Sequence, residues 1–192
     1  ILDRIEAGTF LIAGALLGEP LTVEGCVIEH QNALLDVFTC LGVPFEINGH
    51  DITVRRAEHM APLHITTAPY PGFPTDMQAQ LTVLLSLAKG HSVITETIFE
   101  NRFMHIGELC RMGAAIRVEG GRALIDGVEQ LSGTTVMASD LRASACLILA
   151  GLVADGETTI RRIYHLDRGY EHIEKKLMQV GAKIERFSEG TA

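Results

Sequence analysis

The sequence Asp76-Met-Gln-Ala-Gln-Leu-Thr-Val-Leu-Leu-Ser-Leu-Ala-Lys-Gly90 is apolar over most of its length, which predicts a helix buried on nearly all sides. Two other segments resemble it, at residues 4–18 and 142–156, and each also ends at a glycine. Glycine favours the left-handed conformation that closes a helix, so we expect the three helices to end there. Gly18, Gly90 and Gly156 follow one another at nearly equal intervals. A recurrence of this kind predicts three copies of one supersecondary unit.

The segments that follow each apolar helix also recur in the same order. Short strands are predicted at residues 21–24, 92–95 and 158–161, and second helices with one apolar face at residues 32–41, 103–112 and 170–180. Alternating strands follow at residues 44–47, 115–118 and 183–187. The first two of these turn back through Asn48-Gly49 and Gly120-Gly121, which is typical of β-hairpins. The predicted unit is therefore strand–helix–strand–helix–strand–strand, about 65–70 residues long.

We predict an α/β (α+β) fold in which three such units pack with pseudo-threefold symmetry and bury their three apolar helices at the centre. The chain is expected to form a single domain over residues 1–192, with repeats at approximately 1–58, 59–130 and 131–192. The first copy lacks its leading strand and the third its closing strand. Because open sheet edges tend to pair, we expect these strands in flanking chain. The start at Ile-Leu-Asp-Arg rather than Met also favours a piece of a longer protein.

Composition limits the classes of function. Of the 192 residues, 47% are apolar and 21% charged, and the net charge is −8, so we expect a globular protein with neither a nucleic acid nor a membrane surface as partner. The four cysteines show no CxxC spacing, which favours free thiols in a reducing cytoplasm. The eight histidines show no HxH or HExxH spacing, and the glycines form no nucleotide-binding loop, so we expect neither a metal nor a cofactor.

The first candidate for chemistry is Asp76. Three prolines, Pro69, Pro71 and Pro74, precede it and predict a stiff, extended loop that ends where the apolar helix begins. A carboxylate at this position either caps the helix or serves a function, and local sequence alone leaves both interpretations open.

The repeats add a set of arginines to this candidate. Arg4, Asp76 and Arg142 occupy equivalent positions at the starts of the apolar helices. Arg102 and Arg168 precede the second helices and are separated by the same interval as Asp76 and Arg142. Pseudo-threefold geometry brings these positions to one end of the domain, together with the positive ends of the helices. Surface ion pairs are the alternative interpretation for each arginine. The cluster favours a small polyanionic ligand, since arginine binds phosphate and carboxylate oxygens in pairs.

Four stretches resemble a known family. They are Pro71-Gly-Phe-Pro-Thr-Asp-Met-Gln-Ala-Gln80, Thr95-Glu-Thr-Ile-Phe-Glu-Asn-Arg-Phe-Met-His105, Ser139-Asp-Leu-Arg-Ala-Ser144 and Ile163-Tyr-His-Leu-Asp-Arg-Gly-Tyr-Glu171. Together they are similar to the UDP-N-acetylglucosamine 1-carboxyvinyltransferase family of enolpyruvate transferases. The resemblance implies an inside-out α/β barrel fold of two similar three-repeat domains, with the active site between them. This chain matches the C-terminal part, so the missing N-terminal domain is an expected partner.

The resemblance also implies an activity and a role for five residues. The family transfers the enolpyruvyl group of phosphoenolpyruvate to the 3-hydroxyl of UDP-N-acetylglucosamine, the first committed step of peptidoglycan synthesis. By motif, Asp76 matches the catalytic base and a UDP-sugar contact, and Ile98 matches a second UDP-sugar contact. Arg102, Arg142 and Arg168 match arginines that bind phosphoenolpyruvate or its phosphate.

One limit and two alternatives accompany this expectation. The family's reactive cysteine lies in the other domain, and none of the cysteines here matches it, so we expect the isolated chain to be inactive. A 3-phosphoshikimate 1-carboxyvinyltransferase shares the fold and is the enzymatic alternative. A non-catalytic binding or scaffold domain of the same fold is the other.

Overall fold

The computed structural model describes residues 3–187 as three small sheets arranged around three central helices. The helices are α1 (Arg4–Leu16), α2 (Ile28–Leu41), α3 (Gln78–Ser86), α4 (His105–Arg111), α5 (Leu141–Val153) and α6 (Ile173–Gln179). The strands are β1 (Leu21–Val23), β2 (Phe45–Asn48), β3 (Asp51–Val54), β4 (His64–Thr66), β5 (His91–Thr95), β6 (Ala115–Glu119), β7 (Arg122–Asp126), β8 (Thr135–Met137) and β9 (Thr159–Arg161). Two 3₁₀ turns, Thr75–Met77 and Ile163–Arg168, complete the described elements.

The apolar helices α1, α3 and α5 pack against one another at the centre, as their sequences predict. All nine residues of α3 are buried, including its polar ones, and Ala143 to Ala150 of α5 form a continuous buried run. Small residues let the helices approach closely: a Cβ on Gly8 of α1 would lie 2.8 Å from the Met77 side chain beside α3. Side chains from all three helices join one apolar cluster, so the three repeats share a core.

The sheets differ in how much of the predicted unit each contains. The middle sheet has the order β4-β5-β7-β6, with β4 parallel to β5 and the hairpin strands β6 and β7 antiparallel. The first sheet, β1-β3-β2, has the same order without a leading strand. The third sheet, β8-β9, has the parallel leading pair without a hairpin among residues 3–187. The predicted α/β repeat unit is therefore confirmed in full in the middle copy.

Two details of the prediction are wrong. Residues 183–187 form no strand, because an alternating segment becomes a strand only when a neighbouring strand accepts its hydrogen bonds, and residues 3–187 supply none there. The central helices also end before the expected glycines, α3 at Ser86 and α5 at Val153. The glycine that ends α2, Gly42, does adopt the left-handed conformation, at φ 77°.

The repeat boundaries at 1–58, 59–130 and 131–192 stay a prediction, and residues 1–2 and 188–192 lie outside the described range. Within residues 3–187, no helix has the length and apolar character needed to cross a membrane.

Candidate active site

The proline-containing loop before α3 folds back on itself. The Ala68 N–H donates to the Phe73 carbonyl at 2.9 Å, and the Gly72 N–H donates to the Pro69 carbonyl at 2.8 Å. A Cβ on Gly72 would lie 2.6 Å from the Ala68 Cβ, so the turn requires glycine there. Phe73 is buried and ties the turn to the core. The expectation of an extended loop is therefore wrong, although the loop does deliver a fixed chain to the next element.

Asp76 lies in the 3₁₀ turn Thr75–Met77 that leads into α3, and its carboxylate does not cap the helix. Instead, Oδ1 accepts a hydrogen bond from Arg102 Nη2 at 2.6 Å, and Oδ2 lies 3.3 Å from Arg142 Nη2. The Asp76 side chain is 37% exposed and the two arginines are 25% and 20% exposed. The two arginines that share this carboxylate come from different repeats.

The other two central helices have side-chain caps. The Asp3 carboxylate accepts from the Ile5 N–H at 2.7 Å at the start of α1. The Asp140 carboxylate accepts from the N–H groups of Arg142 and Ala143 at 2.8 and 3.0 Å at the start of α5. Each of these carboxylates satisfies N–H groups that the start of a helix leaves without an intrahelical partner. Repeat two is therefore the copy in which an acidic side chain beside the central helix is left available.

The charges around Asp76 set its protonation state. Partial burial opposes ionisation, but the Arg142 and Arg102 guanidinium groups outweigh it and lower the pKa of Asp76 below its usual value. At neutral pH this carboxylate is therefore ionised and engaged with two cations. In this arrangement it is a weak base, because a proton added to it must displace two favourable charge interactions.

Arg102 is held in place by contacts on three sides. Its Nη1 donates to Thr75 Oγ1 at 3.0 Å while Nη2 binds Asp76. Its guanidinium carbon lies 4.8 Å from the centre of the Phe99 ring, within the range of a cation–π contact. Sequence reasoning missed Thr75 and Phe99. The position of Thr75 directly before Asp76 was the available signal for the first of them.

Arg142 adjoins a buried polar group at the centre of the domain. The Tyr170 hydroxyl lies 2.9 Å from Thr9 Oγ1 on α1 and accepts from Gln80 Nε2 on α3 at 3.2 Å. Burial raises the pKa of Tyr170, although its hydrogen bonds and the Arg142 charge oppose the shift. The hydroxyl is thus neutral and joins the three central helices near the site. Sequence reasoning missed this contact.

Ile98 and Arg168, the remaining predicted site residues, are not bound to Asp76. The side chain of Ile98 is exposed, and its backbone N–H donates to Glu96 Oε1 at 2.8 Å. Arg168 ends the 3₁₀ turn Ile163–Arg168 with an exposed side chain, and it makes no ion pair within residues 3–187. The structure thus brings Asp76, Arg102 and Arg142 into direct contact and leaves Ile98 and Arg168 outside that contact.

A second aromatic contact lies beside the proline-containing loop. The Arg4 guanidinium carbon lies 5.4 Å from the centre of the Tyr70 ring, and the ring meets His30 edge-on at 6.3 Å. Arg4 starts α1, so a third repeat contributes a cation next to this loop.

Across the described ranges of the chain, no three His, Cys, Asp or Glu side chains are grouped in a way that could hold a metal ion.

Comparison with known proteins identifies the family. The sequence profile described as EPSP synthase (3-phosphoshikimate 1-carboxyvinyltransferase) matches residues 1–177. The chain belongs to this family. Among curated relatives, it is 58% identical over 186 residues to the UDP-N-acetylglucosamine 1-carboxyvinyltransferase of Anaeromyxobacter sp. (strain K), covering 97% of this chain and 44% of the relative. It is 54% identical over 187 residues to the enzyme of the same name from Lawsonia intracellularis, covering 97% and 45%.

Solved structures of the family confirm the fold. The enolpyruvyl transferase NikO from Streptomyces tendae superposes with a TM-score of 0.89 at 33% identity, covering 96% of this chain and 44% of that one. EPSP synthase from Acinetobacter baumannii superposes with a TM-score of 0.72 at 22% identity, again over 96% and 44%, and supports the fold alone. The chain therefore spans less than half the length of the family members it matches. The resemblance drawn from the four sequence stretches is confirmed.

Proposed function

We propose that the whole protein containing this chain transfers the enolpyruvyl group of phosphoenolpyruvate to the 3-hydroxyl of UDP-N-acetylglucosamine. The observation that carries the proposal is the uncapped Asp76 carboxylate, which two arginines from other segments hold at the start of a buried helix. The names of the curated relatives at 54% and 58% identity support the UDP-sugar as acceptor.

The reaction requires an addition and an elimination. The sugar 3-hydroxyl oxygen forms a bond to C2 of phosphoenolpyruvate as its proton leaves to a base, and C3 gains a proton from an acid, which gives a tetrahedral ketal. Loss of phosphate from C2 and of a proton from C3 then regenerates the vinyl group. In this chain Asp76 takes the hydroxyl proton, and the acid belongs to the part of the protein that this chain does not cover. General acid–base groups of this kind typically contribute about 10²–10⁴-fold to a rate.

The arginines link ligand binding to the basicity of Asp76. Phosphate and carboxylate groups are strong acceptors for guanidinium groups, so phosphoenolpyruvate competes with Asp76 for Arg142 and Arg102. As the guanidinium groups turn to the ligand, the pKa of Asp76 rises towards its usual value and an oxygen becomes free for the sugar hydroxyl. The exposed Arg168 adds a third cation for the phosphate. Asp76 thereby becomes an effective base only when phosphoenolpyruvate is bound.

The chain alone is expected to be inactive, because it covers 44% of the relative from Anaeromyxobacter and the reaction needs an acid from elsewhere. We also propose a cytoplasmic location. All four cysteines are free, two of them exposed, which suits a reducing compartment.

The second candidate is transfer to 3-phosphoshikimate, which the description of the matching family profile favours. The two reactions share phosphoenolpyruvate and differ in the acceptor. Phosphate release from the whole protein with either acceptor therefore separates them. Turnover with 3-phosphoshikimate and none with UDP-N-acetylglucosamine would establish the second candidate.

The role of Asp76 is tested by Asp76→Asn in the whole protein, which keeps the size and removes the charge. We expect kcat to fall roughly a hundredfold or more, since a general base is lost. Asp126→Asn is the matched control, because Asp126 is a surface carboxylate on β7 that pairs with His91. An Asp76→Asn enzyme with more than half the wild-type kcat would remove Asp76 from the mechanism.

A further inference from the structure

A carboxylate outside the substrate-binding set has an unusually complete group of donors. Glu96 directly follows β5 and is only 9% exposed. Its two oxygens accept four hydrogen bonds, from two threonine hydroxyls and two backbone N–H groups. Burying a carboxylate is costly unless such donors surround it, so its presence here calls for a reason beyond local packing.

One oxygen organises the loop that follows β5. Glu96 Oε1 accepts from the N–H groups of Ile98 at 2.8 Å and Phe99 at 3.1 Å. It also accepts from Thr67 Oγ1 at 2.9 Å, and Thr67 in turn accepts from the Thr97 N–H at 3.0 Å. The carboxylate therefore fixes the backbone of the loop that carries Ile98, and it places the Phe99 ring that lies against Arg102.

The other oxygen reaches the turn that carries Asp76. Thr75 Oγ1 donates to Glu96 Oε2 at 2.8 Å and accepts from Arg102 Nη1 at 3.0 Å. The direction is fixed because a guanidinium only donates, so the Thr75 hydrogen is directed to the carboxylate. Arg102 then donates through Nη2 to Asp76. A continuous series of hydrogen bonds, Glu96–Thr75–Arg102–Asp76, thus places a cation between two carboxylates and ends at the proposed base.

Resting on the function proposed above, we propose that Glu96 is a positioning residue for that reaction. It acts on catalysis through Thr75 and Arg102, which orient Asp76. It acts on acceptor binding through the backbone of Ile98, on the loop assigned to the UDP-sugar. Its partners come from three separate segments, and two of these segments contain a proposed site residue. A carboxylate needed only to end β5 would require none of the contacts to Thr75.

The test is Glu96→Gln in the whole protein, assayed for kcat and for KM with each substrate. The amide keeps one acceptor for the loop, but it has lost the charge and presents N–H donors to Thr75. We expect kcat/KM to fall roughly tenfold to a hundredfold, because hydrogen bonds to charged groups contribute more than neutral ones. Glu108→Gln is the matched control. Glu108 also accepts a backbone hydrogen bond, from the Met137 N–H at 3.0 Å, but it is not part of the Glu96–Thr75–Arg102–Asp76 series.

A double variant separates the effect of Glu96 on catalysis from its effect on acceptor binding. If Glu96 acts on kcat through Asp76, adding Glu96→Gln to Asp76→Asn lowers kcat little further. Because Glu96 also holds the loop that carries Ile98, Glu96→Gln is expected to raise the KM for the UDP-sugar in both backgrounds. A role confined to stability would lower the melting temperature of both backgrounds and leave this pattern absent. Additive losses of kcat in the double variant would therefore overturn the proposal.

A second substitution keeps the test decisive if Glu96→Gln fails to fold. Thr75→Val removes the link between Glu96 and Arg102 and leaves the loop contacts intact, so kcat is expected to fall without a rise in the UDP-sugar KM. Thr75→Ser retains the hydroxyl and is expected to restore most of the rate. Wild-type kinetics in Thr75→Val or in Glu96→Gln would overturn the positioning role alone. An inactive wild-type protein with both substrates present would instead overturn the proposed function, and the positioning role with it.

Discussion

The buried histidine at the start of α4 makes a measurable prediction about stability and pH. His105 is almost completely buried, and its Nε2 lies 3.5 Å from Thr82 Oγ1. Thr82 donates its own hydrogen to the Gln78 carbonyl at 2.9 Å, so the contact suits a neutral imidazole that carries its hydrogen on Nε2. Burial lowers the pKa of His105 to about 4, with Arg102 adding to the shift and Asp140 opposing it.

The size of the effect follows from the difference between the folded and unfolded states. In the unfolded chain a histidine titrates near pH ~6.5. Between that pH and about 4 the unfolded chain binds a proton that the folded chain does not, so stability falls as the pH is lowered. Each pH unit in this window is worth about 1.4 kcal/mol, which gives a loss of about 2 kcal/mol from His105 between pH 7 and pH 5.

Urea unfolding of the chain at pH 7 and pH 5 measures this loss. We expect wild type to lose about 2 kcal/mol more than His105→Gln over the interval, because the variant has no group to protonate there. His59→Gln is the control, since His59 is exposed and should behave as wild type. Identical pH dependence in wild type and His105→Gln would refute the reasoning. So would an imidazole NMR titration of His105 with a midpoint above pH ~6.

The remaining predictions concern burial and packing. Cys40 and Cys110 are exposed and should react with a thiol reagent in the native chain, whereas the two buried cysteines should react only after unfolding in urea, which a spectrophotometric titration distinguishes. Tyr170→Phe should lower the free energy of unfolding by about 0.5–1.5 kcal/mol, because it removes the hydrogen bonds of the buried hydroxyl to Thr9 and Gln80, and thermal unfolding measures it. Gly127→Ala should cost at least about 2 kcal/mol by the same assay, since its Cβ would lie 1.7 Å from the Ala88 carbonyl oxygen.

The fold could be predicted as far as local pattern determines structure. The three apolar helices were predicted because an almost uninterrupted apolar segment has few alternatives to burial, and α3 is buried at every position. The β6–β7 hairpin was predicted from Gly120-Gly121, and both glycines adopt the positive φ angles that its turn needs. The prediction of a strand at residues 183–187 was wrong because an alternating pattern forms a strand only beside a partner strand. The periodicity of a sequence identifies a potential strand, but whether the strand forms depends on a neighbouring strand that can pair with it.

The site could be predicted as far as the repeats preserve geometry. The common interval between repeats related Asp76 to Arg142, and Arg102 to Arg168, before any contact was known. The first pair proves to be in contact. Glu96 was not predicted, because its partners lie in three segments whose convergence no local pattern encodes.

The start of the central helix differs between the repeats, and this difference explains why the site arises in the second repeat. Asp140 caps α5 by accepting from the backbone N–H of Arg142, which fixes the first turn from which the Arg142 side chain extends to Asp76. The Asp140 carboxylate is thus engaged with the backbone of its own helix. In repeat two a 3₁₀ turn precedes the helix, so Asp76 serves no backbone donor there and faces the arginines instead. In repeats one and three the position equivalent to Asp76 holds Arg4 or Arg142, so only repeat two places a carboxylate there. The site therefore depends on a difference between repeats, since repeat two supplies Asp76 at the position where repeat three supplies Arg142.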